Sequence, residues 1–159
     1  MDIEERVLAE LDALGADYEA LPCDPALADT AAFCAHYGYS LDESANAILI
    51  ASRRPPGELA LVVALAATSI DVNRAVRDAM GVKKLSFAPQ EVTAEATGML
   101  IGGVTPFGLP DGVPVLVDAA VLEVPKVIVG GGSRALKIRL DPEVFARLSG
   151  ARVVPGLAR

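Results

Sequence analysis

Two apolar runs separated by a short polar turn constrain the fold of this chain more than any other feature. The first run extends from Ala45 to Ala51 and the second from Leu59 to Ala67, and Arg53-Arg-Pro-Pro-Gly-Glu58 lies between them. Apolar runs of this length, bounded by proline and glycine, are typical of two strands joined as a β-hairpin. Both are far shorter than the roughly 20 residues that a membrane helix needs. The chain is therefore expected to contain a buried hairpin, and no membrane partner is predicted.

Further helices and strands are predicted on both sides of this hairpin. Apolar residues at helical spacing, bounded by capping residues and glycines, predict helices over about residues 2–14, 30–38, 70–81, 89–98 and 141–150. Short apolar or alternating runs predict strands at 84–87, 113–117, 126–129, 134–140 and 152–154. The runs at 126–129 and 134–140 form a second hairpin across Gly130-Gly-Gly-Ser133. Because neighbouring strands form hairpins, the expected class is α+β with a mixed, largely antiparallel sheet.

Length, composition and charge limit the number of domains and the classes of partner that this chain is expected to have. At 159 residues, 52% hydrophobic and 22% charged, the chain is expected to form a single domain over residues 1–159. A net charge of −7 opposes non-specific attraction to polyanions, so no DNA partner is predicted and any RNA contact is expected to be local. The acidic Met-Asp-Ile-Glu-Glu start does not resemble an export signal, which favours the cytoplasm.

Residues of standard hydrolases and metal sites are nearly absent. The single histidine, His36, leaves room for only one imidazole base, and no GxSxG, HExxH or Walker motif occurs. Cys23 and Cys34 lack the spacing and the partners of a structural zinc site. Buried or surface packing roles are the simpler interpretation of these three residues. No metal and no cofactor are predicted.

Two glycine-rich segments remain as candidate sites. Ile101-Gly-Gly-Val-Thr-Pro-Phe-Gly-Leu-Pro110 has too many glycines and prolines for a helix or a central strand, and Gly130-Gly-Gly-Ser133 is the second segment. Consecutive glycine N–H groups suit a carbonyl oxygen, an oxyanion or a phosphate. The alternative is that both segments are only tight turns.

The order of these segments resembles the YbaK/prolyl-tRNA synthetase-associated domain. The resemblance covers about residues 17–154, and its most specific part is Thr97-Gly-Met-Leu-Ile-Gly-Gly-Val-Thr-Pro-Phe-Gly108 followed by the Gly130-Gly-Gly-Ser-Arg134 turn. This family implies a curved mixed sheet wrapped by helices. It also implies hydrolysis of the ester between a wrongly attached amino acid and tRNA, with the aminoacyl-tRNA acceptor end as partner and an aminoacyl-tRNA synthetase as a second partner in some members.

The resemblance also assigns candidate site residues. Gly102 to Pro106 matches the family's GxxxP loop, so the N–H groups from Gly102 through Gly103 to Thr105 are expected to hold the ester carbonyl or the terminal ribose. The Thr105 hydroxyl is the best candidate for orienting water, with a turn-stabilising role as the alternative. The expected substrate-binding walls of the pocket are Pro106, Phe107, Gly130, Gly131, Gly132 and Ser133.

Two departures from the family pattern leave the activity open. The family's lysine at the start of the hairpin is replaced by Asn46, and the hydroxyl that some members carry at the second turn falls on Gly130. Three hypotheses follow: a deacylase for a small amino acid that uses Asn46 and backbone amides, a silent binding module for an aminoacyl end or small acyl ligand, or a vestigial pocket on an interaction protein. Small residues such as Ala47, Ala66 and Gly103 would favour a small substrate side chain.

Basic side chains supply the candidate RNA contacts. They are Lys83, Lys84, Arg134, Lys137 and Arg139. Long cationic side chains are the usual partners of nucleic-acid phosphates. The alternation of apolar and basic residues from Arg134 to Leu140 is typical of a strand with one solvated face, and this is the favoured interpretation for that segment.

Overall fold

Eight strands form two sheets in the computed structural model, which describes all residues from 1 to 159. A three-stranded antiparallel sheet has the order β1-β7-β6, and a five-stranded mixed sheet has the order β4-β2-β3-β5-β8. In the second sheet, β5 runs parallel to β3 and β8 runs parallel to β5. The predicted α+β class with a mixed sheet is therefore confirmed. The strands are β1 Tyr18–Pro22, β2 Ala45–Arg54, β3 Pro56–Leu65, β4 Lys84–Phe87, β5 Val115–Asp118, β6 Val127–Gly130, β7 Leu136–Leu140 and β8 Ala151–Val154.

The helices are short, and local sequence signals mark most of their ends. They are α1 Ile3–Ala13, α2 Thr30–Tyr37, α3 Arg77–Met80 and α4 Gln90–Thr97. Asp2 and Glu5 form a capping box at the start of α1, while Gly38, Gly81 and Gly98 end the other three helices with positive φ angles. None of the helices combines the length and the apolar character that crossing a bilayer requires.

Two predicted helices differ from the observed elements. The segment that leads into α3 is a π-helical turn over Val72–Val76. The element after Asp141 is a 3-10 helix over Pro142–Arg147, and the predicted α-helix there is wrong. Asp141 does cap it, since its side chain accepts a hydrogen bond from the N–H of Glu143. Side-chain capping sets where a helical turn begins, but it does not choose between i→i+3 and i→i+4 hydrogen bonding.

The apolar run in β3 is continuous because both faces of the larger sheet are buried. Leu61 and Val63 face a core shared with β6 and β7 of the smaller sheet. Ala60 and Val62 face a second core on the opposite side, which α3 and the C-terminal Leu157 complete. A strand with two buried faces lacks the alternation of a half-exposed strand.

The end of β4 leaves part of β2 without a neighbour. β4 pairs with residues 50–54 of β2, whereas β3 pairs with β2 on the other side along nearly its whole length. The carbonyl oxygen of Leu49 still accepts a hydrogen bond from the N–H of Ala88 at 2.9 Å, so residues 45–48 form an open strand edge next to the glycine loops. This edge is where the candidate site lies.

Candidate functional site

A cavity of about 530 Å³ lies beside the open edge of β2. Residues 45–49 of β2 form one side of it, the start of α2 and the end of β4 form the adjacent walls, and the two glycine loops close it. The remaining residues that line the cavity are Asp29, Thr30, Ala31, Phe87, Ala88, Thr93, Ile101, Gly102, Val104, Gly130 and Lys137. This volume falls in the range of small-molecule sites.

Asn46 presents a polar group to this cavity. Its Oδ1 atom accepts a hydrogen bond of 2.5 Å from the Thr30 hydroxyl at the start of α2. This bond orients the amide, and the amide NH₂ group has no hydrogen-bond partner within the protein. Asn46 therefore offers two N–H donors to a bound ligand.

Lys137 supplies a cation to the same cavity from the neighbouring sheet. Its side chain is buried, and Nζ donates hydrogen bonds to the carbonyl oxygens of Ala28 at 2.6 Å and Gly102 at 2.8 Å. Nζ also lies 5.6 Å from the centre of the Phe33 ring, within cation–π range. Burial lowers the pKa of this ammonium. An ammonium has three N–H donors, so one remains for a ligand.

The buried position of Lys137 overturns the prediction of a solvated strand face at this residue. Leu136 and Ile138 point into the core between the sheets, so Lys137 points to the outer face of the smaller sheet. That face is covered by a third cluster built around Phe33 of α2 and Ile128 of β6. Arg139, next on the same face, remains partly exposed and forms an ion pair with Glu19 at 2.8 Å. The sequence contains no local signal that distinguishes these two cations.

The glycine loops contact one another back to back. The N–H of Gly132 donates to the carbonyl oxygen of Gly103 at 2.8 Å. A Cβ atom on Gly103 would lie 2.5 Å from the Ser133 carbonyl carbon, and one on Gly130 would lie 2.4 Å from the Val104 carbonyl oxygen. Both glycines are therefore required by the close approach of two backbones.

Helix α1 and Arg134 hold these loops in place. Arg6 and Glu10 of α1 bind the carbonyl oxygen and the N–H of Gly108. Arg134 Nη1 donates to the carbonyl oxygen of Ile101 at 2.6 Å and forms an ion pair with Asp29 at 3.2 Å. The loop geometry is consequently determined by contacts between segments that are distant in sequence.

Three of the predicted site residues meet at the cavity, namely Asn46, Gly102 and Gly130. The others lie behind the cavity wall. Gly103, Gly131 and Gly132 pack against Ser133, Leu136 and α1, respectively. Ala66 and Gly103 do not line the cavity, whereas Ala47 does.

The residues at the end of the first loop do not line the cavity. Thr105 is fully buried, and its hydroxyl has no hydrogen-bond partner. Phe107 stacks on Phe145 in the core with ring centres 5.6 Å apart. Pro106 borders a separate cavity of about 280 Å³, and the hydroxyl of Ser133 donates to the carboxylate of Glu4.

The cavity contains few groups that could act as a nucleophile or bind a metal. No histidine or cysteine lines it, and its only carboxylate, Asp29, is largely exposed and paired with Arg134. Cys23 and Cys34 are buried free thiols. No group of three or more His, Cys, Asp or Glu side chains is arranged so that it could hold a metal ion.

Comparison with known proteins identifies the family. Residues 24–148 match the model of the aminoacyl-tRNA editing domain. The chain belongs to this family. An uncharacterized protein of Bacillus subtilis (strain 168), YwhH, is 34% identical to this editing domain over 116 residues, which are 73% of this chain and 71% of that protein.

Solved structures share the fold of this editing domain over almost its whole length. The hypothetical protein APE2540 superposes with a TM-score of 0.86 at 23% identity, covering 97% of this chain and 99% of that one. A candidate trans-editing enzyme for prolyl tRNA synthetase gives a TM-score of 0.81 at 21% identity, covering 98% and 96%. The resemblance to the YbaK/prolyl-tRNA synthetase-associated domain is thus confirmed.

Proposed function

We propose that this editing domain acts in trans as an aminoacyl-tRNA deacylase and that the reaction takes place in the cavity beside β2. The observation that carries the proposal is the convergence of the Asn46 amide and the Lys137 ammonium between the two glycine loops. The match to the editing family supports the substrate class. Similarity over nearly the full length to a candidate trans-editing enzyme supports action as a separate protein.

Polar donors at the cavity fit the charge changes of ester hydrolysis. Attack of water on the ester carbonyl forms a tetrahedral centre whose oxygen becomes negative, and the bond to the terminal ribose then breaks. Donors already aimed at the developing oxyanion stabilise it without reorganisation. We assign this role to the Asn46 N–H donors together with the remaining donor of Lys137. The leaving ribose hydroxyl takes up the proton that water releases.

Water is the nucleophile in this proposal because the cavity holds no histidine, no cysteine and no unpaired carboxylate. The Thr30 hydroxyl is engaged with Asn46, and neither cysteine lines the cavity. The nearest carboxylate, Asp29, is paired with a guanidinium. Activation of water is therefore left to the substrate's own polar groups and to its positioning.

The cavity walls favour a small amino acid and disfavour a basic one. Ala31, Ala45, Ala47 and Ala88 form much of the surface. The single buried cation, Lys137, would repel the side chain of a basic amino acid. The terminal ribose and base of the tRNA would lie against the exposed side chains of Phe87 and Ile101, which line the cavity.

A binding module without catalysis is the second candidate function. Two of the Lys137 donors are bonded to main-chain carbonyls, and Asn46 Oδ1 is bonded to Thr30. A site whose polar groups are mostly hydrogen-bonded within the protein can bind a ligand without stabilising the transition state more than the ground state.

Release of amino acids from a panel of mischarged tRNAs tests the proposal. The panel includes small amino acids on tRNA-Pro, and the variants are Asn46→Ala, Asn46→Lys and, as a control, the exposed Asn73→Ala. Loss of one oxyanion donor costs roughly 10²–10³ in rate, so Asn46→Ala should be slow and Asn73→Ala unchanged. Saturable binding of aminoacyl-tRNA without release would establish the binding module. Neither binding nor release, with wild type and Asn46→Lys both silent, would exclude both candidates.

A further inference from the structure

Four exposed cations lie at the tip of the β2–β3 hairpin and at the adjoining start of β4, and the proposed catalytic site does not use them. Arg54 of β2 lies opposite Lys84 of β4 in the sheet register. The N–H of Lys83 donates to the carbonyl oxygen of Arg54 at 2.8 Å, and Arg53 precedes Arg54 in the strand. These four residues are called the basic hairpin patch below.

The charges of this patch are not neutralised within the protein. The four ion pairs of the chain involve Arg77, Arg134, Arg139 and Arg147. Glu58 is the only acidic residue of the hairpin tip, and it forms no ion pair. In a chain of net charge −7, four unpaired cations at one place create a local positive potential.

Strand β4 connects the patch to the mouth of the cavity. It begins at Lys84 and ends at Phe87, whose half-exposed ring lines the cavity. Three residues of extended chain cover about 10 Å. A polyanionic chain with one end in the cavity would therefore reach the patch only a few monomers from that end.

We propose that the basic hairpin patch binds the phosphates of the RNA strand whose 3′ end enters the cavity. This inference rests on the proposed function, because it takes the ligand in the cavity to be the acceptor end of a tRNA. Exposed lysines and arginines are the usual contacts of the sugar-phosphate backbone, and such contacts set position without reading sequence. Of the cations that the sequence analysis considered, this assigns the phosphate contacts to Lys83 and Lys84 and extends them to Arg53 and Arg54.

Binding of an uncharged RNA hairpin with a single-stranded 3′ tail tests the patch directly. One double variant combines Arg54→Gln and Lys84→Gln. It is compared with a control double variant that combines Lys126→Gln and Arg159→Gln. These control cations are also exposed, and they lie toward the other end of β2 and β3, near the Ser44–Ile128 and Ile70–Ala158 bridges. The patch variant should bind at least about tenfold more weakly near 0.1 M salt, and the slope of log K against log salt should fall by about two. Equal losses in both double variants would overturn the inference.

Hydrolysis of two substrates separates the patch from the catalytic proposal. An aminoacylated RNA hairpin reaches the patch, whereas an aminoacyl-adenosine does not. The patch variant should hydrolyse the hairpin substrate more slowly and the adenosine substrate at the wild-type rate. Wild-type rates on both substrates would refute the patch and leave the deacylase proposal intact. If the wild type hydrolyses neither substrate, the deacylase proposal fails and the RNA-binding result alone decides the patch.

Patch-dependent binding to vesicles of anionic lipid, without RNA binding, would assign the patch to a membrane surface and overturn the inference.

Discussion

The Nζ atom of Lys137 lies 2.8 Å from the carbonyl oxygen of Gly102. A residue of the smaller sheet thereby anchors the first glycine loop, and the same ammonium reaches the cavity beside Asn46 of the larger sheet. The cation of this pocket is therefore supplied by β7, a strand of the other sheet from the one that carries Asn46.

Replacing Lys137 should impair both the loop and the reaction. In Lys137→Met the carbonyl oxygens of Ala28 and Gly102 lose their donor, and buried unsatisfied acceptors cost about 1–3 kcal/mol of unfolding free energy. Deacylation should fall by roughly 10²–10³ if the ammonium also stabilises the oxyanion. Chemical denaturation and single-turnover hydrolysis measure the two effects. Lys126→Met, at an exposed lysine, is the matched control. A Lys137→Met protein that is destabilised but fully active would limit Lys137 to anchoring the loop.

The lowered pKa of Lys137 predicts how stability depends on pH. Burial disfavours the charged form, so the folded protein releases this proton at a lower pH than the unfolded chain, whose value is near 10.5. Stability rises with pH wherever the unfolded state binds more protons. The unfolding free energy of the wild type relative to Lys137→Met should therefore increase as the pH rises through the window just below 10.5. Denaturation at a series of alkaline pH values tests this, and a flat difference between the two proteins would contradict it.

Gly103 should be intolerant of even a methyl group. In Gly103→Ala the new Cβ would lie 2.5 Å from the backbone of Ser133, so one glycine loop must move away from the other. We expect a loss of about 3 kcal/mol or more, at the upper end of single-substitution effects. Gly112→Ala is the control, because a Cβ at Gly112 contacts nothing and only its positive φ opposes the change. That strain costs about 1–2 kcal/mol. Thermal unfolding of the two variants gives the comparison, and similar melting temperatures would mean that the loops separate easily.

The variant Thr105→Val distinguishes the two interpretations of the Thr105 hydroxyl, which are that it orients water and that it stabilises a turn. The Thr105 hydroxyl is buried without a hydrogen-bond partner, so its removal should leave stability unchanged or raise it by about 1 kcal/mol. Because Thr105 does not line the cavity, the deacylation rate should also be unchanged. A large drop in rate at unchanged stability would support the predicted role of this hydroxyl in orienting water.

The raised pKa of Asp118 predicts that stability changes with pH in the direction opposite to that predicted for Lys137. Its carboxyl is buried, and burial raises its pKa above 3.8 although several backbone N–H groups oppose this shift. The folded state then holds the proton more tightly than the unfolded chain, so lowering the pH through the raised pKa should stabilise the wild type relative to Asp118→Asn. The relative unfolding free energy of the two proteins from neutral to mildly acidic pH measures the effect. A difference that decreases on acidification would contradict the assignment.

The elements whose signals are local could be predicted from the amino-acid sequence alone. The hairpin of β2 and β3, the cap at Asp2 and the helix ends at Gly38, Gly81 and Gly98 depend on residues a few positions apart. The order of the glycine segments likewise indicated the family, and the hairpins between neighbouring strands indicated the α+β class. These features depend on turn chemistry, capping and periodicity, all of which act within a short stretch of chain.

The composition of the site was decided only by the tertiary structure. Lys137 and Arg139 occupy equivalent positions of one strand, yet α2 covers the first and leaves the second at the edge beside Glu19. Gly103 and Gly130 look alike in sequence, but only Gly130 reaches the cavity, because the first loop turns the back of Gly103 against Ser133. Alternation along a strand determines which residues share a face. What covers that face depends on segments roughly 100 residues away, such as Ala28 against Lys137, and no local pattern encodes that contact.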